Sequence, residues 1–163
     1  DYLRALCDAE RQAVLGAASV ALYTDLRPVR VRAEAAALIG FAFAELLRNA
    51  LAHAFPRDGR GHVGVHLWPI SGLPSLRAFL LVADDGQGFG DEPPVTSERG
   101  IPLARHLVER CGGTLKREPD RHGTVWRIAV PELPHEDAAA RVSGLALHDT
   151  SLGAFAAPPS PAP

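Results

Sequence analysis

Cysteine, aromatic residues, lysine and a surplus of either charge are all scarce in this chain. Cys7 and Cys111 are the two cysteines among 163 residues. They stand far apart and in no metal-ligand spacing, so neither a disulfide framework nor a zinc module is expected, and reduced thiols are. The 17 Lys and Arg residues are offset by 19 Asp and Glu, a formal net charge of -2, and the isoelectric point lies near 6.4. That balance lacks the basic excess that neutralises a phosphate backbone, so no nucleic-acid partner is expected. No apolar run approaches the roughly 18 residues of a membrane span, and no membrane contact is expected of this segment. The opening Asp1-Tyr2-Leu3-Arg4 lacks the charged-then-apolar layout of a signal peptide, which points to a cytoplasmic domain or a fragment of a larger protein. Lys116 is the single lysine, and beside the abundant alanine this reads as coding bias without functional weight. What remains is a chain that is 47% hydrophobic and 22% charged, with the length and composition of one globular domain and its core.

Periodicity divides the chain. Leu3, Leu6, Ala13, Val14 and Ala17 fall at helical spacing, predicting an amphipathic helix over 1–17. Ser19 to Leu22 and Val29 to Val31 read as two short strands around a turn at Tyr23 to Pro28. From Arg32 to Ala54, Ile39, Phe43, Leu46, Leu47, Ala50 and Ala54 form one apolar stripe, and Pro56 with Asp58-Gly59 ends this long helix. Val63, Val65 and Leu67 alternate with smaller or polar neighbours, and Phe79 to Ala83 is continuously apolar, so two strands of one sheet are predicted. A helix from about Pro102 stops at Gly112-Gly113. Thr114 to Lys116 and Thr124 to Val130 form a closing hairpin around Pro119 to Gly123, with Trp126, Ile128 and Val130 on one face and Arg127 on the other. Residues 134–163 are rich in Ala, Ser, Gly and Pro and are expected to be a disordered tail.

Three elements carry chemistry. On the long helix Glu45, Asn49 and His53 recur every four residues and, at about 100° per residue, share a face away from the stripe. A carboxamide oxygen can ligate a hard cation such as Mg²⁺, and a carboxylate one turn away can orient a nucleophile or take its proton. The same spacing also describes a solvated helix face. The strand into Asp84-Asp85-Gly86-Gln87-Gly88 ends in an acidic, glycine-rich turn. Its glycines allow a ligand close to the backbone, and a carboxylate there can accept a bond from an exocyclic amine such as that of adenine. A plain acidic turn is the alternative; the spacing of Asp84, Asp85 and Asp91 is not that of an EF-hand, and no lysine and hydroxyl follow the glycines as in a Walker loop. Third, Ser97-Glu98-Arg99-Gly100 leads into a helix whose N-terminus favours an anion such as phosphate.

In order, Glu45-Leu-Leu-Arg-Asn49-Ala-Leu-Ala-His53-Ala-Phe-Pro56, Asp84-Asp-Gly86-Gln-Gly88, Gly100 before a helix ending in Gly112-Gly113-Thr114-Leu115, and Gly123-Thr124 resemble the ATP-binding domain of sensor histidine kinases. The resemblance covers roughly 1–133, and His53-Ala-Phe-Pro56 followed by Asp58-Gly59-Arg60-Gly61 has the flavour of the HWE-related branch. It implies the α/β sandwich of the Bergerat-type (GHKL) ATPases, a mixed sheet covered on one face by helices, with an N-terminal helix. It further implies ATP and Mg²⁺, with Glu45 polarising the attacking group, Asn49 ligating Mg²⁺ and Asp84 receiving the adenine amino group. By the same resemblance His53 lies in the nucleotide site, Gly86 and Gly88 shape the pocket floor, Gly100 belongs to the lid and phosphate loop, and Thr124 lies beside the adenine.

The chain departs from that pattern at Ala52, where a basic residue is usual, and at Gly100-Ile101-Pro102, where the proline removes an N–H from a Gly-x-Gly lid. The Trp-x-Glu signature of strict HWE members is absent. Arg48 or Arg99 are the substitutes for the missing phosphate contact. The seven histidines are His53, His62, His66, His106, His122, His135 and His148, so none precedes residue 53, where a phosphoacceptor helix would stand. The expectation is therefore a catalytic domain that phosphorylates a histidine on another segment or protein. In that layout 1–17 is the end of a dimerisation hairpin, 18–133 the ATP-binding domain, and the partners are a phosphoacceptor domain and a response regulator of a bacterial two-component system with a homodimeric parent. An anti-sigma-factor-like serine kinase, or a degenerate module that docks a response regulator without turning over ATP, are the alternatives.

Overall fold

The computed structural model describes residues 1–14, 19–55, 60–73, 76–88, 100–118 and 123–131. The expectations for Ser97-Glu98-Arg99 ahead of α3, for the helix stop at Pro56 to Gly59, for most of the closing turn and for the tail at 134–163 lie outside these residues. In chain order the elements are α1 (Tyr2–Val14), β1 (Ser19–Leu26), α2 (Ala33–His53), β2 (Arg60–Pro69), β3 (Leu76–Asp84), α3 (Gly100–Arg110), β4 (Thr114–Glu118) and β5 (Thr124–Pro131). The strands form one sheet in the order β1-β2-β3-β5-β4. β1 pairs with β2 in parallel, joined through α2, and the other three pairings are antiparallel, so the sheet is mixed.

Period-two alternation decides which sheet face is covered. Val63 and Val65 of β2, Ala78, Leu80 and Val82 of β3, Leu115 of β4 and Trp126, Ile128 and Val130 of β5 are buried. They share one core with Ile39, Phe43, Leu46, Leu47 and Ala50 of α2 and with Ala104 and Val108 of α3. Phe43, Leu46 and Leu47 are fully buried, each stabilising the sandwich by roughly 1.5–3 kcal/mol through apolar area removed from water. The opposite face is half-exposed. Arg127 turns out there, as the alternation predicts, with its guanidinium 4.7 Å from the Phe79 ring centre. The result is the expected two-layer α/β sandwich. By length and composition α2 could cross a membrane, at a mean hydropathy of 1.4, but half of that stretch is buried inside the domain. Glu45 and Arg48 also interrupt its apolar run, and it is a core helix.

The region around β1 corrects the sequence reading. Instead of two short strands around a turn, Ser19–Leu26 is one continuous strand, and Val29 to Val31 lie outside the sheet. Tyr23, Thr24 and Asp25 pair with Gly64, Val65 and His66, and the Asp25 carboxylate accepts the Trp68 indole N–H at 3.1 Å. The ladder ends where Pro28, without an N–H, follows the bond from the Arg27 amide to the Leu67 carbonyl. α3 begins at Gly100, two residues earlier than expected, since Pro102 sits in a first turn whose amides have no helical partner. Its other end closes as predicted: the Gly112 and Gly113 amides bond the Glu109 and Val108 carbonyls, with Gly112 at φ 78°. α1 lies in the same compact unit as the sandwich, with Cys7 in the core. Burial pushes the Cys7 thiol up to about 11, and both cysteines are free.

Candidate active site

α2 supplies two functions from two faces. Its apolar stripe is consumed by the core, which leaves Glu45 and Asn49 half-buried and His53, its last residue, exposed. The Asn49 side-chain nitrogen is buried and has no hydrogen-bond partner. A buried amide left unsatisfied is costly. Its nitrogen and oxygen are interchangeable by a flip, so this side chain can meet a donor, an acceptor or a cation. Among the described residues no three His, Cys, Asp or Glu side chains converge on a metal position. A site for Mg²⁺ would thus draw most of its ligands from phosphate and water, with Asn49 as the protein oxygen, which is how this ion is ordinarily held.

At the N-terminus of α3, Gly100 stands so close to Glu45 that a Cβ on it would overlap the Glu45 Oε1 atom. The other carboxylate oxygen, Oε2, lies 3.4 Å from Nη1 of Arg48. At the opposite end of α2 the turn after β3 is fixed by main-chain bonds: the Gln87 amide to the Ala54 carbonyl at 2.9 Å and the Asp85 amide to the His62 carbonyl at 3.2 Å. Gly86 has to be glycine for this approach, because a side chain there would run into the Ala54 carbonyl. Gly88, at φ 68°, lies against the Gly123 carbonyl, and Gly123 packs on the backbone of Asp84.

Asp84 ends β3 facing the covered side, paired in register with Thr124 of β5. It is 9% exposed and Thr124 is 5% exposed. Burial pushes its carboxyl above the usual range, and hydrogen bonds from the Gly86 amide, at 3.1 Å, and from Thr124 partly offset this. Asp85, one residue on, points to the exposed side. The His62 backbone amide, at 2.6 Å, and the His62 ring, at 2.7 Å, hold its carboxyl below the usual range.

Glu45, Asn49 and His53 therefore form a line from the start of α3 to the Asp84 turn. At 1.5 Å per residue, Glu45 to Ala54 spans about 13 Å. The line has a buried acceptor at one end and a helix N-terminus at the other. Such an arrangement can receive an extended ligand with an amine at one end and an anion at the other.

No family model matches the chain. Blue-light-activated histidine kinase 2 of Erythrobacter litoralis (strain HTCC2594) is 34% identical to it over 105 residues, 63% of this chain and 30% of that protein. The histidine kinase domain of the Erythrobacter litoralis EL346 blue-light activated histidine kinase superposes with a TM-score of 0.69 at 28% identity, covering 80% of this chain and 59% of that one. In sequence and in fold the chain is thus similar to the catalytic domains of sensor histidine kinases. A mycobacterial sensor histidine kinase, MprB, shares the fold alone, with a TM-score of 0.61 at 22% identity over 82% of this chain and 95% of that one. The chain spans about 30% of the length of the curated relative that it matches.

All eight site residues singled out in the sequence are among the described residues. Asp84, Gly86, Gly88 and Thr124 cluster at one end, Glu45 and Gly100 meet at the other, and Asn49 and His53 lie along the helix between. Two contributions escaped the sequence reading. The Asp85–His62 bonds were invisible because 23 residues separate the partners. Arg48, expected from the sequence as a substitute phosphate contact, instead has all three guanidinium nitrogens turned to carboxylates, Glu10 of α1 at 2.7 and 3.0 Å and Glu45 at 3.4 Å, so it is not assigned to the nucleotide. The three-residue spacing of Glu45 and Arg48 was a readable signal, whereas Glu10 was not.

Proposed function

We propose that this domain binds ATP with Mg²⁺ and transfers the γ-phosphoryl group to a histidine on a separate segment or protein. The observation that carries the reading is Asp84, a buried carboxylate whose Thr124 and Gly86 bonds orient it beside a close backbone turn. That arrangement suits the exocyclic amine of adenine. Asn49 would hold Mg²⁺, which supplies charge neutralisation across the phosphates. Glu45 would orient the attacking imidazole and take its proton as the new N–P bond forms. The bridging O–P bond breaks at the same time, and ADP leaves with the electron pair. His53, Gly88 and Thr124 would line the nucleotide, and the N-terminus of α3 at Gly100 would face its phosphates.

The wider setting belongs to the same proposal: a cytoplasmic two-component signalling protein of the HWE-related branch, dimeric as a whole, with a phosphoacceptor domain and a response regulator as partners. A second reading, a regulator-docking module without turnover, is favoured by Ala52 and by Pro102, which leaves one donor fewer in the first turn of α3. Calorimetric titration with Mg·ATP separates the two. The kinase reading expects Mg²⁺-dependent binding that Asp84→Asn weakens, and a folded chain without nucleotide affinity would refute it.

A further inference from the structure

Glu10 lies on the face of α1 that also buries Cys7, and it is 8% exposed. A carboxylate so far out of water needs a cation, and Arg48 provides one as a fork, Nε to Oε2 at 3.0 Å and Nη2 to Oε1 at 2.7 Å. These bonds to Glu10 are also what chiefly raise the Arg48 guanidinium above its ordinary value. A guanidinium is planar and rigid, so fixing two of its nitrogens fixes the third. That third nitrogen, Nη1, lies 3.4 Å from Oε2 of Glu45. Since half of the Arg48 side chain is exposed, this last contact would hold little by itself. Its geometry comes from the fork on Glu10.

The Glu45 carboxylate is thus bounded on both sides, by Arg48 at Oε2 and by Gly100 at Oε1. We propose that Arg48 is a positioning residue for Glu45, and that Glu10 of α1 sets where Arg48 stands. The proposal rests on the kinase reading above. It makes α1 more than packing: a displacement of α1 along α2 would carry Arg48 with it and release one side of the carboxylate that meets the attacking group. The contact joins residues 38 apart in the chain. It thereby gives events at α1 a direct physical route to the transfer step.

The test uses the whole chain, with Mg·ATP and the acceptor-helix domain of its parent protein. ATP affinity, the transfer rate at saturating ATP and the melting temperature are measured for wild type, Arg48→Gln, Arg48→Lys, Glu10→Gln and the double variant Glu10→Gln/Arg48→Gln. Arg48→Gln is expected to slow transfer about tenfold or more while the ATP dissociation constant stays within about twofold, because a positioning residue acts on the transition state and not on ground-state binding. Arg48→Lys should recover part of the rate. Glu10→Gln should lose less than Arg48→Gln, and the double variant should be no slower than Arg48→Gln alone, since Glu10 acts only through Arg48. The proposal is overturned if Arg48→Gln transfers at the wild-type rate, if the losses multiply, or if the rate falls only with the folded fraction and lysine restores nothing. A wild-type chain that binds ATP but transfers nothing to the acceptor overturns the kinase reading, and this proposal with it.

Discussion

Replacing Asp84 by asparagine exchanges one carboxylate oxygen for an amide nitrogen and leaves the shape of the side chain almost unchanged. The site makes that exchange costly. Its Oδ1 accepts the Gly86 amide at 3.1 Å, and Thr124 directs both its amide and its hydroxyl at the carboxylate. If the remaining oxygen stays with those donors, the new nitrogen points toward the adenine amino group, donor against donor. If the amide flips, the nitrogen meets the Gly86 or Thr124 donors instead. Either way one buried hydrogen bond to a charged acceptor is lost, about 1.5–3 kcal/mol, and the ATP dissociation constant rises by roughly tenfold to a hundredfold. Folding should hardly suffer, because the variant removes a charge that burial already disfavours. Titration calorimetry with Mg·ATP measures the effect, and inosine triphosphate, which lacks the amino group, supplies the control. Wild type should prefer ATP, and the variant should lose most of that preference. A folded Asp84→Asn chain that binds Mg·ATP as tightly as wild type would refute the assignment of the adenine end.

Burial raises the Asp84 carboxyl, so nucleotide affinity should fall on acidification at a higher pH than an exposed aspartate would give, read from dissociation constants across a pH series. Asn49→Ala should remove the Mg²⁺ dependence of ATP binding while the melting temperature without nucleotide holds, since the buried amide nitrogen has no hydrogen bond to lose. The chain incubated alone with labelled ATP should stay unlabelled yet label a supplied acceptor-helix domain. Glu45→Gln should then slow transfer far more than it weakens ATP binding, a split that steady-state kinetics resolves. The Asp85 carboxyl is held below its usual range, so its bonds to His62 stabilise the fold above the unfolded value near 3.9 and are lost as the pH falls through the lowered one. The melting-temperature gap between wild type and Asp85→Asn should accordingly be constant at mildly acidic pH and close in strong acid.

What could be read in advance was what local spacing encodes. The apolar stripe of α2 and the alternation in β2 and β5 each repeat within a few residues, so burial followed from the sequence, and the polar face of α2 followed by subtraction. The place of Asp84 at a strand end was legible because the continuous apolar run Phe79 to Ala83 stops there at acids and glycines. The strand at Tyr23 to Leu26 was not. Its exposed Tyr23, Thr24 and Asp25 read as a turn, and what makes them extended is a parallel partner about forty residues later in the chain. The Glu10 fork escaped for the same reason: on its own helix Glu10 looks like one more solvated acid, and only the packing of α1 on α2 buries it.

The Gln87 amide reaches the Ala54 carbonyl by main-chain atoms at both ends. Side-chain exchange at either position therefore leaves the tether in place. The Gln87 side chain is exposed, so drift there is nearly free, and the turn that presents Asp84 keeps its address on α2 through generations of surface change. Proline is the exception at position 87, because it alone lacks the hydrogen that makes the bond. A saturation library at Gln87 scored for nucleotide binding would then show broad tolerance with a single sharp hole. The adjoining Gly86 would show the reverse, a position where any side chain meets the Ala54 carbonyl.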